Sequence, residues 1–329
     1  MRSVNGKTVL VTGGAGFIGS HLVDELVAAG ARHIVVVDNF FLGNPRNLDD
    51  ARRAGSVTIY NQDAADYRAM ENIVESETVD VVFNLATKAL EHSFADPDDA
   101  YMVNVNVAST LLRLLKRRAY ETLIHCSSSE AYGTAQYVPI DEGHPLKPQT
   151  LYAAGKASAD LMVTAYVHMF GLDATTARPF NNYGPRQNEG TYAAVIPLTL
   201  KRLRAGEAPV IFGDGSQTRD FIYVKDTVRA LLLAYEIDEA RGCTVNIATG
   251  REVTIREIVD SLCRSMGYSG EIRFEPERPA DVRRHLAGTE LARELLAFEP
   301  KVDLDEGIAR TVEWYLSQRT PESAAPDQP

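Results

Sequence analysis

The sequence predicts an α/β protein built on a doubly wound parallel sheet, with a smaller C-terminal lobe added to it. Short apolar runs alternate with segments of helical periodicity in the first half of the chain. The runs are rich in β-branched residues and lack polar alternation, as is typical of strands buried on both faces. A glycine-rich turn follows the first run. In such a fold, ligands bind at the carboxyl ends of the strands.

The elements follow from this rhythm in chain order. A first strand is predicted over 8–11, and a helix over 16–29 that is closed by Gly30. Later helices are predicted over 100–118, 152–170, 255–266 and 307–317, and later strands over 33–38, 57–60, 79–85 and 122–126. Each of these strands follows a helical stretch, which is the order that a parallel sheet requires.

The domain organisation is predicted from a change in pattern near Pro179, after which proline and glycine become frequent. Residues 1–178 form the predicted first domain, and segments around 217–250 are expected to return to it. Residues 179–319 form the second lobe, and residues 320–329 a polar, frayed tail.

Composition excludes several classes of function. The formal net charge of −11, with no basic block, argues against nucleic-acid binding. No apolar stretch approaches the ~20 residues of a membrane span, and no secretory segment is evident. The three cysteines, Cys126, Cys243 and Cys263, are scattered and lack metal-ligand spacing. We therefore expect no metal and a reducing, cytoplasmic setting.

The turn over residues 12–19 has the features of a dinucleotide site. Gly13 allows the tight turn, Gly16 lets the backbone approach a pyrophosphate, and Gly19 permits close packing of helix on sheet. Asp38 ends the second strand, where a carboxylate accepts from a ribose 2′-hydroxyl and repels a 2′-phosphate. NAD is therefore predicted rather than NADP. Asp63 either reaches the adenine or caps a helix.

Tyr152 and Lys156 are four residues apart in a predicted helix, so both project from one face. A free phenol has a pKa of about 10 and is a poor base at neutral pH. A neighbouring ammonium favours the phenolate, so Lys156 is expected to activate Tyr152 as a proton acceptor. A serine-rich segment over residues 127–129, followed by Glu130, lies upstream, so the pair is interpreted as half of an active site.

The motifs together resemble those of the extended short-chain dehydrogenases/reductases that modify nucleotide sugars. The matching segments are residues 12–19, 84–86, 127–133, 152–156, 178–186, 212–215 and 218–221. The resemblance covers nearly the whole chain. It implies a Rossmann domain that binds NAD, a lobe that binds a nucleotide-diphosphate sugar, and a homodimer formed through a pair of helices. The predicted NAD contacts are Gly13, Gly16, Phe17, Ile18, Gly19, Asp38, Asn39, Asp63, Ala64, Leu85, Ala86, Tyr152 and Lys156.

The resemblance implies oxidation of the sugar at C4, in which Tyr152 takes the hydroxyl proton and Ser128 bonds the same oxygen. From the 4-keto sugar, family members proceed as 4-epimerases, as 4,6-dehydratases or as uronate decarboxylases. Glu130 matches the acid that acts at C5 in dehydratases, whereas simple epimerases usually lack it. Ser129 stands where dTDP-glucose dehydratases carry an aspartate. The 4,6-dehydratase is favoured, and Glu130 as a solvated loop acid or a helix cap remains the alternative.

Substrate contacts are predicted from the same resemblance at Lys88, Ser129, Asn181, Phe212, Arg219 and Arg283. The two arginines match the diphosphate ligands, although a single arginine is usually a surface residue. His92 is a weaker candidate in the loop after the fourth strand. A binding protein that had lost turnover would usually show damage at Tyr152 or Lys156, and both are intact. A simple dehydrogenase that releases NADH is a further alternative.

Overall fold

The computed structural model describes residues 1–190, 193–277 and 282–318, so the predicted tail over 320–329 lies outside the described residues. The strands are β1 (Thr8–Thr12), β2 (His33–Val37), β3 (Val57–Tyr60), β4 (Val81–Asn84), β5 (Thr122–Cys126), β6 (Ala174–Pro179), β7 (Asn181–Tyr183), β8 (Val210–Phe212), β9 (Thr218–Arg219), β10 (Phe221–Tyr223), β11 (Thr244–Ile247), β12 (Val253–Thr254) and β13 (Arg273–Glu275). The helices are α1 (Phe17–Ala28), α2 (Asp49–Ala54), α3 (Tyr67–Ser76), α4 (Pro97–Lys116), α5 (Leu151–Phe170), α6 (Val195–Arg204), α7 (Val224–Glu236), α8 (Ile255–Ser265), α9 (Glu290–Leu296) and α10 (Leu304–Ser317).

Seven strands form one parallel sheet in the order β11-β6-β5-β4-β1-β2-β3. The chain winds outward from β1 in both directions, so the predicted doubly wound α/β fold is confirmed. The strand order reverses between β1 and β4. Ligands of such sheets bind outside the carboxyl ends of the strands at this switch point.

The sheet is buried on both faces, which explains why its strands lack polar alternation. In β1, Val9 and Val11 pack in one apolar cluster with Leu22 of α1. Leu10 points to the opposite face, where it packs with Leu111 of α4. Successive side chains of a strand point to opposite faces, so a strand covered by helices on both sides must be apolar at every position.

Helix α4 begins three residues earlier than the sequence pattern predicts, because its first turn is polar. Pro97 occupies the first helical position, and the Asp96 side chain accepts a hydrogen bond from the Asp99 amide at 3.1 Å. Proline and a capping aspartate are both favoured at a helix N-terminus. Apolar periodicity detects a helix only from its first buried residue, which here is Ala100.

The second lobe consists of short strand pairs and the helices α6, α8 and α10, which share a third apolar cluster. Helix α7 and strand β11 lie between segments of this lobe in sequence but pack with the large sheet. The domain boundaries themselves stay a prediction. In the part of the chain that the structure describes, no helix combines the length and the apolar character needed to cross a membrane.

Candidate active site

A cavity of about 620 Å³ lies at the carboxyl ends of the central strands, between the sheet and the second lobe. The turn after β1, the loops after β2, β4 and β5, and helix α5 line one side of it. Segments of the second lobe, including β8 and β9, line the other side. A deep, partly apolar cleft with a few convergent polar groups is the usual form of a cofactor and substrate site.

The glycine turn leaves no room for side chains at two positions. Gly13 has φ +68°, and a Cβ there would lie 2.8 Å from the backbone of Leu85 and Ala86. A Cβ on Gly19 would overlap the carbonyl oxygen of Gly13. Helix α1 therefore starts directly against the strand, and its N-terminal residues Phe17 and Ile18 line the cavity together with Gly16. Such a helix start offers backbone amides to a pyrophosphate, so the turn fits NAD.

Asp38 is held at the end of β2 by two backbone amides. Its Oδ2 accepts from the Ala15 amide at 2.9 Å, and its Oδ1 accepts from the Phe40 amide at 2.8 Å. The Asp38 side chain is buried and lines the cavity. Asn39 and Ala64 also line the cavity. Burial raises the pKa of Asp38, and the two amide bonds oppose that shift. A fixed carboxylate here fits an adenosine ribose with an unmodified 2′-hydroxyl.

Asp63 also lines the cavity, as do Leu85 and Ala86. The alternative role of Asp63 as a helix cap is excluded by the structure. Asp66 caps α3 instead, because its Oδ1 accepts from the Arg68 and Ala69 amides at 2.9 and 3.1 Å. Asp63 accepts from the Ala65 amide within its own loop at 2.8 Å. Contact with the adenine remains a prediction for Asp63.

Helix α5 brings the predicted catalytic pair into the cavity. Thr150 caps the helix by accepting from the Ala153 amide at 3.2 Å, so Tyr152 lies in the first turn. Lys156 lies one turn later and is buried, and its Nζ donates to the Cys126 carbonyl at 3.0 Å. Burial lowers the pKa of Lys156. Both side chains line the cavity together with Ser128.

Burial, rather than the predicted activation by Lys156, has the largest effect on the pKa of Tyr152. Burial raises the pKa of Tyr152 well above its ordinary value. A hydrogen bond with Ser128 lowers that pKa, and the negative charge of Glu130 raises it. The Lys156 ammonium is directed at a backbone carbonyl. Burial therefore outweighs the predicted activation by Lys156 in the protein alone.

Glu130 lies in a short 3₁₀ turn, Ser129–Tyr132, that follows β5. Ser128 caps the turn by accepting from the Glu130 amide at 3.2 Å. Gly133 ends it with φ +69°, and a Cβ there would overlap the carbonyl of Lys147. Glu130 and Ser129 both line the cavity with Tyr152. The structure thus brings all four predicted catalytic residues into one cavity.

The predicted substrate contacts divide into two groups. Asn181, Phe212 and Arg219 line the cavity from the second lobe, and Lys88 lines it from the loop after β4. Arg219 is buried, and its guanidinium donates to the carbonyls of Thr218, at 2.9 Å, and Val282. Arg283 is not among the described residues that line the cavity. Its side chain is 68% exposed, with Nη2 3.4 Å from Glu277, so a contact with the diphosphate stays a prediction.

Lys88 and His92 share one carboxylate. Lys88 Nζ lies 3.1 Å from Asp99 Oδ2 and 3.4 Å from the centroid of the Phe41 ring. His92 Nε2 lies 2.9 Å from the same oxygen of Asp99. The side chains of His92, Asp96 and Asp99 place ligand atoms within 4.8 Å of one another, a spacing that would also suit a metal ion. The Lys88 ammonium already supplies a cation to Asp99. A role for His92 at the substrate stays a prediction.

Sequence reasoning missed many residues of the cavity wall, among them Phe41 and Glu91. Phe41 follows Asp38 in the same loop, and Glu91 lies in the loop after β4. The charge of Glu91 also raises the pKa of Tyr152. Both loops were identified from their position after buried strands. Nothing in the sequence shows which of their side chains turn inward.

Comparison with known proteins identifies the family. The family model described as GDP-mannose 4,6 dehydratase matches residues 10–311. The chain belongs to the extended short-chain dehydrogenase/reductase family of nucleotide-sugar epimerases and dehydratases. The predicted resemblance is thus confirmed. Members of this family are NAD-dependent enzymes, so this extended short-chain dehydrogenase/reductase is an enzyme. Its glycine turn and Asp38 fit NAD as the cofactor.

Relatives of this extended short-chain dehydrogenase/reductase catalyse different reactions. It is 35% identical to a UDP-glucose 4-epimerase of Mycolicibacterium smegmatis, over 94% of this chain and 98% of the relative. It is 34% identical to a dTDP-glucose 4,6-dehydratase of Actinoplanes sp., over 95% of this chain and 98% of the relative. A dTDP-glucose 4,6-dehydratase of Streptomyces venezuelae, solved with NAD bound, superimposes with a TM-score of 0.88 at 30% identity, covering 94% of this chain and 97% of that one.

Proposed function

We propose that the enzyme is a 4,6-dehydratase of a nucleotide-diphosphate sugar that works through a 4-keto intermediate. The observation that carries this proposal is the position of Glu130. Its carboxylate shares the cavity with Tyr152 and is close enough to raise the Tyr152 pKa. A second carboxyl group beside the C4 base suits removal of a proton from a neighbouring carbon.

The first step is oxidation at C4. Tyr152, as phenolate, takes the proton of the C4 hydroxyl, and Ser128 hydrogen-bonds the same oxygen. NAD, held by the glycine turn and Asp38, would supply the redox chemistry, as acceptor for the C4 hydride and donor of a hydride to C6. Lys156 lies one helical turn after Tyr152, and we assign to its ammonium the predicted role of favouring the phenolate.

The second step is loss of water across C5 and C6. The C4 ketone makes the C5 proton acidic, and Glu130 removes it. Ser129 is a poor acid, so we assign to Glu130 the delivery of that proton to the departing C6 oxygen as well. C5 then receives a solvent proton, and Tyr152 returns the C4 proton to solvent, so the net change is loss of one water.

A 4-epimerase is the second candidate. It is favoured by the epimerase relatives and by Ser129, which replaces the aspartate that dTDP-glucose dehydratases carry. An epimerase would use Tyr152 and Ser128 in the same way and would leave Glu130 without a role at C5. A uronate decarboxylase is the third reading and shares the same first step.

One experiment separates these readings. The purified enzyme is incubated with UDP-, dTDP-, GDP- and CDP-linked sugars, and the products are weighed by mass spectrometry. Loss of one water supports the dehydratase, whereas loss of CO₂ or an epimer of unchanged mass contradicts it. The same panel identifies the nucleotide and the sugar. No reaction with any sugar would contradict the proposal as a whole.

We also propose that the enzyme is a homodimer through α4 and α5. These two helices pack side by side and carry large apolar residues that are exposed in the single chain. Met102 of α4 is 47% exposed, and Leu161 and Met169 of α5 are 61% and 70% exposed. Several such residues on neighbouring helices are typical of a surface that pairs with another protein, here a second copy.

A further inference from the structure

A chain of buried polar contacts links helix α5 to the turn that carries Glu130. Asp160 lies one helical turn after Lys156, and its Oδ2 accepts from Arg178 Nε at 2.7 Å. Arg178 Nη1 donates to the hydroxyl of Tyr132 at 2.8 Å. Tyr132 is the last residue of the 3₁₀ turn. We call the three residues Asp160, Arg178 and Tyr132 the tether, and they are 1%, 5% and 0% exposed.

The Tyr132 end of the tether is fixed on several sides. The Tyr132 hydroxyl donates to Asn246 Oδ1 at 2.8 Å, and Asn246 Nδ2 donates to the Ile140 carbonyl at 2.9 Å. The Arg178 guanidinium also lies 4.7 Å from the centroid of the Tyr132 ring. The hydroxyl and the ring face of Tyr132 are therefore both in contact with neighbouring side chains. These contacts can all form only in one position of the Tyr132 side chain.

The Asp160 end of the tether is connected to the glycine turn. Thr12, the residue before Gly13, donates its hydroxyl to Asn84 Oδ1 at 2.7 Å. The Asn84 amide nitrogen must then be the group that faces His125 Nδ1 at 2.9 Å. This makes His125 Nδ1 an acceptor and leaves the proton on Nε2, which lies 3.5 Å from Asp160 Oδ1. The contacts thus run from the cofactor turn to the catalytic helix.

Stability alone does not account for a buried ion pair at this place. Removing an aspartate and an arginine from water costs several kcal/mol per ion, and apolar residues of similar volume are often as stable or more so. The pair instead fixes an orientation, because the planar guanidinium of Arg178 bonds Asp160 and Tyr132 in one geometry. Tyr132 is two residues after Glu130, and Asp160 is two helical turns after Tyr152. The pair therefore connects the turn that carries Glu130 to the helix that carries Tyr152.

We propose that Asp160, Arg178 and Tyr132 are positioning residues that hold Glu130 and Ser128 in register with Tyr152 and Lys156. The role of Glu130 rests on the proposed function, whereas the position of the turn does not. A displacement of about 1 Å in a catalytic group can reduce the rate by roughly 100-fold. Loss of the tether therefore lowers kcat without weakening the binding of substrate or cofactor.

The test is Tyr132→Phe, which removes one buried hydroxyl and keeps the ring. The matched control is Tyr120→Phe, since Tyr120 is also buried and its hydroxyl donates to the Leu111 carbonyl at 2.7 Å. Tyr120 precedes β5, so it lies at the far end of the strand, on the order of 15 Å from the site. Three quantities are compared in wild type and both variants: the midpoint of thermal unfolding, kcat with KM, and amide hydrogen exchange over residues 128–133.

We expect Tyr132→Phe to lower kcat about 10-fold or more relative to Tyr120→Phe, with KM and bound NAD within about 2-fold of wild type. Amide exchange over residues 128–133 should become faster in this variant and stay at the wild-type rate in the control. A kcat equal to that of Tyr120→Phe, or unchanged exchange in the turn, would overturn the proposal. If wild type converts no sugar, the proposed function fails and hydrogen exchange still decides whether the tether holds the turn.

Discussion

Glu130 and Tyr152 face one cavity, and the charge of Glu130 raises the pKa of the Tyr152 phenol. Burial already lowers the fraction of Tyr152 that is ionised at neutral pH, and the charge of Glu130 lowers that fraction further. A carboxylate beside Tyr152 is therefore unfavourable for the oxidation of C4. An enzyme that only oxidised and reduced C4 would gain nothing from this carboxylate. It is useful if the carboxylate acts on the next carbon, where the ketone has made a C–H bond acidic.

Replacing Tyr152 by phenylalanine should abolish turnover and leave NAD binding intact. The ring still packs in the cavity, but no group remains to take the C4 proton. We expect kcat to fall about 10²- to 10⁴-fold, the usual contribution of a general base. Steady-state rates and the amount of bound NAD check this. Tyr166→Phe, on the same helix but outside the described cavity lining, serves as the control; equal activity in the two variants would exclude Tyr152 as the base.

The variant Glu130→Gln should separate the two steps of the reaction. Removal of the carboxylate ends proton exchange at C5, so substrate incubated in D₂O should no longer take up deuterium there. Mass spectrometry and NMR of recovered sugar measure this uptake. Deuterium at C5 in the variant at the wild-type rate would contradict the assigned role. Wild type itself shows no uptake at C5 if the enzyme is a 4-epimerase.

The same variant has a predicted effect on pH dependence. Tyr152 acts as a base only when it is ionised, so C4 oxidation rises as pH passes through its pKa. The charge of Glu130 raises that pKa, and removing the charge lowers it. The rising limb of the rate of C4 oxidation should therefore move to lower pH in Glu130→Gln. A shift to higher pH, or none, would show that the two groups are not coupled.

The fold and most of the cavity were predictable because they follow from local rules. Strands without polar alternation, such as Thr122–Cys126, must be covered on both faces, and Gly13 and Gly19 mark a turn that no side chain can enter. The tether was not predictable, since Arg178 and Tyr132 lie in separate motif segments and no local pattern shows that the fold brings them together. The pairing of Lys88 with Asp99 has the same cause, because it joins a loop to the start of α4.

Asp38→Asn should weaken the preference for NAD over NADP. The amide keeps an oxygen that can accept from the Ala15 or Phe40 amide, so the loop should stay in place. It loses the charge that repels a 2′-phosphate and one strong acceptor for the ribose. We expect the ratio of NAD to NADP affinity to fall on the order of 10-fold. Titration of the cofactor-free protein with each cofactor measures the ratio. An unchanged ratio would show that another residue determines the preference for NAD.

A charge on the exposed face of α5 should break the proposed dimer. Leu161 is 61% exposed in the single chain, and Leu316 of α10 is 57% exposed, so the two leucines form a matched pair on different surfaces. Leu161→Asp would bury an unpaired carboxylate if α5 pairs with a second copy, and that is strongly unfavourable. We expect Leu161→Asp to sediment as a monomer at concentrations where wild type and Leu316→Asp sediment as dimers. Identical sedimentation of the two variants would show that α5 is not the interface.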